Sequence, residues 1–120
     1  MAFGKKTSGG KYKKFRKKRL HEVKGKPHLV LLGPEKRKKL RIRAGKIKVI
    51  LLKADKVNVM DTKTHKAKVV VIKNVVEVPS NRFLARKNVL VKGAIIETEL
   101  GKARITNRPG QEGSIQAVLI

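Results

Sequence analysis

Within Lys11-Tyr12-Lys13-Lys14-Phe15-Arg16-Lys17-Lys18-Arg19, seven of nine side chains are cationic and the other two are aromatic. Like charges at that density repel one another in any backbone conformation, so the segment stays open until a polyanion neutralises it. A phosphate backbone meets that need, because each Lys or Arg that contacts a phosphate releases a condensed counterion. Tyr12 and Phe15 then have bases on which to stack. Taken alone, the same run also fits a solubilising tail or a nuclear-localisation signal. Other chemistries find less support. His21, His28 and His65 are far apart and there is no cysteine, so neither a zinc site nor another metal or cofactor site is expected. Gly10-Lys11 is not a P-loop, for Lys5 stands where the first glycine belongs and Tyr12 follows instead of Ser or Thr. Glu97 and Glu99 sit two apart without a third acid or a base, as a solvated strand face would, and no enzymatic activity is expected.

Composition favours the nucleic-acid reading over the tail. The chain carries 32 Lys and Arg against 8 Asp and Glu, a formal charge of +24 over 120 residues. Solubility of a small domain needs a net charge of only about 2 to 8. The excess is concentrated: through Lys53 there are 20 cations and two glutamates, whereas the remainder has 12 cations and six acids. Absence of cysteine removes any disulfide framework and suggests an intracellular, cytoplasmic chain. Neither an export signal nor a membrane-spanning run is visible, so no membrane partner is expected.

The elements that must position these cations are short strands. Residues 1–26 mix Gly4, Gly9, Gly10 and Gly25 with cations and read as an arm ordered by its partner. Segment 27–34, bracketed by Pro27 and Pro34, reads as an extended anchor, packed on the domain or on a neighbouring protein. Lys36, Arg37, Lys38 and Lys39 form a second cationic cluster ahead of the first strand, at the foot of the domain. From Leu40 the period becomes two: Leu40, Ile42 and Ala44, then Ile47 and Val49, alternate with Arg41, Arg43, Lys46 and Lys48. This predicts a hairpin whose four cations share an outward face. Strands are predicted at 57–60, over the valine-rich run 67–78, at 95–100, 103–106 and 114–120. Segment 81–87 reads equally as an irregular loop or as one helical turn capped by Asn81 with Phe83, Leu84 and Ala85 inside. Tight turns are expected at Gly101-Lys102 and, as type II, at Pro109-Gly110. Six or so strands with little helix predict an all-β fold, a small closed antiparallel barrel. The domains are then an arm and anchor at 1–34 and the barrel at 35–120.

Lys92-Gly93-Ala94-Ile95-Ile96-Glu97-Thr98-Glu99-Leu100-Gly101-Lys102-Ala103-Arg104, followed by Asn107-Arg108-Pro109-Gly110-Gln111-Glu112-Gly113, resembles the e-type small-subunit ribosomal protein eight of archaea and eukaryotes. Further marks are Gly9-Gly10-Lys11 leading into Lys17-Lys18-Arg19, Arg41-Ile42-Arg43-Ala44-Gly45-Lys46, Ala54-Asp55 with Asn58, and Val75-Val76 with Pro79 and Asn81. The direct turn at Gly101-Lys102 is of the archaeal type. The chain departs where the family usually has glycine and Asn, at Ala44 and Lys46, and where it has Ser, at Asn107. The resemblance implies a barrel docked on 16S ribosomal RNA in the small (30S) subunit, among other ribosomal proteins, not self-associated, with the arm threaded between RNA helices. It implies that Lys5, Lys6, Lys11, Lys13, Lys14, Arg16, Lys17, Lys18 and Arg19 neutralise phosphates, and that Gly9 and Gly10 permit close backbone approach. Arg41 and Arg43 would hold phosphates bidentately, as would Arg108 from its turn. Two other readings stand beside it: an assembly factor sharing this domain, and a general nucleic-acid-compacting protein.

Overall fold

The computed structural model describes residues 4–13, 15–25 and 27–120. Nine strands follow one another: β1 (Val30–Leu32), β2 (Lys36–Arg41), β3 (Ile47–Ala54), β4 (Lys56–Met60), β5 (Ala67–Glu77), β6 (Val89–Leu90), β7 (Ile95–Thr98), β8 (Gly101–Ile105) and β9 (Gln116–Leu119). Two α-helical turns interrupt them, α1 (Arg82–Arg86) and α2 (Pro109–Glu112). The β-branched residues form strands because one face of each is buried. In β4 burial alternates strictly, with Val57 and Val59 inside and Lys56, Asn58 and Met60 outside.

Five strands close a barrel in the order β4-β5-β7-β8-β9. All its pairings are antiparallel except the closing one, where β9 runs parallel to β4 with Val59 opposite Ala117. The long β5 bends around the barrel through two register shifts, after Ile72 and after Val75. Closure leaves the barrel no free edge. The remaining four strands form a second sheet in the order β2-β3-β1-β6. Val30, Leu51 and Leu90 from that sheet join Val57, Ile72, Ile96, Ala103 and Ile105 of the barrel in one apolar core. Every one of the largest members is at most 4 % exposed.

Small closed all-β architecture is what the sequence predicts, with corrections in detail. The strands number nine, not six, and both the barrel closure and the β1–β3 pairing are parallel. The anchor lies on its own domain: β1 pairs with β3 and β6, and Val30 is buried. Of the two readings of segment 81–87 the helical turn holds, and Asn81 caps α1, its Oδ1 accepting from the Phe83 N–H at 2.9 Å. Phe83 nevertheless faces solvent while Leu84 and Ala85 pack on the core. The β7–β8 turn falls at Glu99-Leu100, with Gly101 already in β8 and opposite Thr98. The stretch after Arg108 is a helical turn and not a type II turn: Pro109 takes the first helical position and Gly113 the left-handed C-cap at φ 74°.

Candidate nucleic-acid interface

The second cationic cluster is not a foot ahead of the first hairpin strand but the strand itself, since β2 begins at Lys36. Its pairing with β3 places Arg41 opposite Ile47, Leu40 opposite Lys48, Lys39 opposite Val49 and Lys38 opposite Ile50. Directly opposed residues share a face, and successive residues alternate faces. Lys39 and Arg41 therefore lie with Ile47 and Val49, whereas Lys38 and Leu40 lie with Lys48 and Ile50. A single face for Arg41, Arg43, Lys46 and Lys48 is overturned. The cause is parity: the turn spans the three residues Arg43–Gly45, so odd-numbered positions of β2 meet odd-numbered positions of β3. Arg43 sits in that turn, and Lys46 accepts the Ile42 N–H at its carbonyl, 2.8 Å away. The hairpin consequently carries cations on both faces, and every residue from Arg41 to Val49 is exposed. Its base is held by the body, where Gly113 beyond α2 packs so close that a Cβ there would lie 3.2 Å from the Val49 carbonyl oxygen.

The arm is laid out entirely in solvent: every described residue from Gly4 to Leu29 is exposed. A small turn is closed by the Lys6 N–H donating to the Gly10 carbonyl at 2.7 Å, with Gly9 at φ 81°, a conformation that favours glycine. Lys5 and Lys11 bridge its ends, and the Lys6 ammonium lies 5.6 Å from the Tyr12 ring centroid. Tyr12 is half exposed and Phe15 is 99 % exposed, both open to a stacking partner. Lys14 lies outside the described residues.

Arg16 is differently placed from its neighbours. Its guanidinium grips Glu22 bidentately, at 2.8 and 2.6 Å, and Glu22 also accepts the Arg19 N–H at 3.0 Å. Arg16 first and that N–H second hold the Glu22 carboxyl below the ordinary carboxylate range. Among the described residues, Arg16 with Glu22 and Arg37 with Glu35 are the two ion pairs. The side chains of Lys5, Lys6, Lys11, Lys13, Lys17, Lys18, Arg19, Lys36, Lys38, Lys39, Arg41, Arg43, Lys46 and Lys48 form no ion pair with a carboxylate among the described residues, and these residues are exposed.

Arg108 is positioned from its backbone. Its N–H donates to Glu112 Oε1 at 3.0 Å, and the other carboxylate oxygen accepts from Asn107 Nδ2 at 3.1 Å. Those two donors, the Arg108 N–H foremost, hold Glu112 below its ordinary pKa. Asn107, only 8 % exposed, also donates to the Ser114 carbonyl at 2.7 Å and accepts the Gln116 N–H at 3.1 Å, tying the turn to β9. The side chain of Arg108 is left exposed beside Lys92 and His28, which line the same cleft. Sequence reading missed both partners, as they meet Arg108 only through tertiary pairing. The legible clue was the spacing of Pro109 and Gly113 around a single helical turn.

Among the described residues, no three His, Asp or Glu side chains converge as a metal ion would require, and no helix is long and apolar enough to cross a membrane. What remains is a body with a protruding two-faced cationic hairpin, a solvated cationic arm and a fixed arginine. Comparison with known proteins gives that arrangement its family. Residues 2–120 match the model of the family described as Ribosomal protein S8e. The protein named small ribosomal subunit protein eS8 of Nanoarchaeum equitans is 47% identical over 105 residues, which cover 88% of this chain and 83% of that one. The protein of the same name from Sulfurisphaera tokodaii is 42% identical over 117 residues, 97% of this chain and 91% of the relative. That from Methanospirillum hungatei is 43% identical over 116 residues, 97% and 93% of the two chains. The chain belongs to the ribosomal protein S8e family.

Proposed function

We propose that this protein is a structural component of the small ribosomal subunit, located in the cytoplasm within the ribosome, where it binds and braces folded 16S ribosomal RNA. The observation that carries this reading is the solvent-facing state of its cations. The arm and the hairpin present them in dense runs, and only Arg16 and Arg37 are engaged by carboxylates among the described residues. An array of that kind is stabilised by a polyanion.

Phosphate contacts from Lys5, Lys6, Lys11, Lys13, Lys14, Lys17, Lys18 and Arg19 hold the arm, and those from Lys36, Lys38, Lys39, Arg41, Arg43, Lys46 and Lys48 hold the hairpin. Tyr12 and Phe15 add base stacking; Arg16 and Arg37 join by exchanging their carboxylate for phosphate. The protein acts as one copy per subunit and performs no catalysis. The test is binding of the full chain to 16S ribosomal RNA across a salt series, with sedimentation of small subunits and polysomes. Log affinity is expected to fall with log salt by about 0.7 to 0.9 per phosphate contacted. Persistence in polysomes distinguishes a resident component from an assembly factor. Equal affinity for duplex DNA at matched salt would instead indicate a general compacting protein.

A further inference from the structure

A recess of the body lies between the anchor segment, the end of β6 and α2, with a volume of about 310 Å³. Its surface is mostly apolar: Leu90 and Pro109 are buried, Val91 is half-buried, and Leu29 closes the side formed by the anchor. Its charged groups are the cations Lys92 and Arg108, and the His28 imidazole and the Gln111 amide line it as well. The nearby carboxylate, Glu112, has both oxygens occupied by the Arg108 N–H and the Asn107 amide.

The recess is preformed. A Cβ on Gly110 would lie 2.6 Å from the His28 carbonyl oxygen, so the anchor and α2 meet in direct backbone contact that admits no side chain. Glu112 and Asn107 fix the backbone of Arg108. Binding here needs no rearrangement of the walls. The volume lies at the small end of the roughly 300 to 1,000 Å³ typical of ligand sites, room for one planar heterocycle and not for a folded element.

We propose that this cleft receives a single unstacked base of the ribosomal RNA, with the phosphate of that nucleotide held by Arg108 and Lys92. The proposal rests on the RNA-binding reading above and adds to it a site for a base. An apolar slot with two cations at its mouth matches a nucleotide, whose base is apolar on its faces and whose phosphate is anionic. RNA-binding proteins take up splayed bases in this manner, stacking them on arginine guanidinium planes or aromatic side chains, here Arg108 and His28.

The test fills the cleft without altering charge. Gln111→Trp and Val91→Phe block it from two sides, and each is first compared with the parent chain in thermal unfolding and in far-ultraviolet circular dichroism. Stacking of one base predicts a loss of affinity for 16S ribosomal RNA of roughly 5- to 100-fold in both variants. The slope of log affinity against log salt stays at the parent value, because no phosphate contact is removed. Arg108→Ala, by contrast, weakens binding and lowers that slope by about 0.7 to 0.9. Chemical probing of the RNA completes the assay, with one base protected by the parent protein and reactive with either filled variant.

Parent-like RNA affinity and parent-like probing in a folded filled variant would overturn the proposal while leaving the RNA-binding reading intact. If the filled variants bind RNA normally but fail to enter subunits assembled with the other proteins, the cleft takes a protein segment and the proposal is likewise overturned. Absence of salt-dependent RNA binding by the parent chain would remove the underlying reading itself.

Discussion

Ala44 adopts φ 60° and ψ 28° at the tip of the hairpin and is followed by Gly45 at φ 71°. A Cβ in the left-handed region costs about 1 to 2 kcal/mol. Glycine there gains freedom in the unfolded chain that offsets roughly 0.4 to 1 kcal/mol of the relief. Ala44→Gly is therefore expected to stabilise the protein by about 0.5 to 1 kcal/mol, measured as a raised midpoint in urea with the slope unchanged. No gain would show that the turn rearranges to spare the alanine. A second residue-level expectation concerns Glu112, whose folded-state pKa is depressed by the Arg108 N–H and then by Asn107. A depressed carboxylate stabilises the fold above its unfolded value, about 4.3, and loses that contribution as pH falls through the folded value. Thermal midpoints measured from pH 6 down to 3 should thus show Glu112→Gln less stable than the parent at the upper end, the two converging at the lower. Parallel curves would mean the carboxylate does not hold the turn by its charge. Glycine roles were the least legible feature at this scale. Gly110 reads as a turn residue from its place after proline, yet what demands it is the His28 carbonyl from a distant segment, and the left-handed residue is Gly113.

Among the elements, the β2–β3 hairpin shows where reading by periodicity ends. Alternation over residues 40–49 correctly indicates two strands, because each strand carries its own period. The relation between the two strands depends on the number of residues in the turn, and an odd turn placed Arg41 and Lys48 on opposite faces. By contrast the β4 and β5 strands and the Asn81 cap were legible, as burial and local hydrogen bonding there follow from adjacent residues. Two cationic faces carry a consequence for binding: a hairpin exposed on both sides can lie between two RNA segments. Paired replacements Lys39→Ala with Arg41→Ala on one face, and Lys38→Ala with Lys48→Ala on the other, are each expected to weaken RNA binding. Each pair should lower the salt slope by about 1.4 to 1.8, two phosphates at 0.7 to 0.9 apiece. Thermal stability should change little, since all four side chains are exposed. If one pair has no effect at matched salt, the hairpin lies flat on a single RNA surface.

At the scale of the whole molecule, the radius of gyration is 19.1 Å, against about 14 Å for a compact chain of this length. The extents of 59 × 39 × 26 Å and the exposure of every described residue from Gly4 to Leu29 show that the excess is arm and projection, with one core beneath. Charge follows the same division, which is why the arm could be read from composition, whereas the parallel pairing that closes the barrel could not. That closure pairs Asn58 with Gln116 in parallel, a contact between residues far apart in sequence for which no local pattern exists. The division predicts separable roles for folding and binding. Removal of residues 1–26 takes away 11 cations and one carboxylate while leaving Val30 and the rest of the core in place. Because no described residue of that segment is buried, the shortened chain should keep its β-rich circular dichroism and unfold near the parent temperature. RNA affinity at physiological salt should fall by at least a hundredfold, as loss of even a few counterion-releasing contacts lowers the log–log slope by several units. The outcome that contradicts this division is loss of the folded barrel on deletion, for then the arm would contribute to the core and its cations would have a partner within the chain. Parent-like affinity in a folded truncated protein would place recognition on the hairpin and the Arg108 turn, and the arm would serve only to raise the rate of encounter.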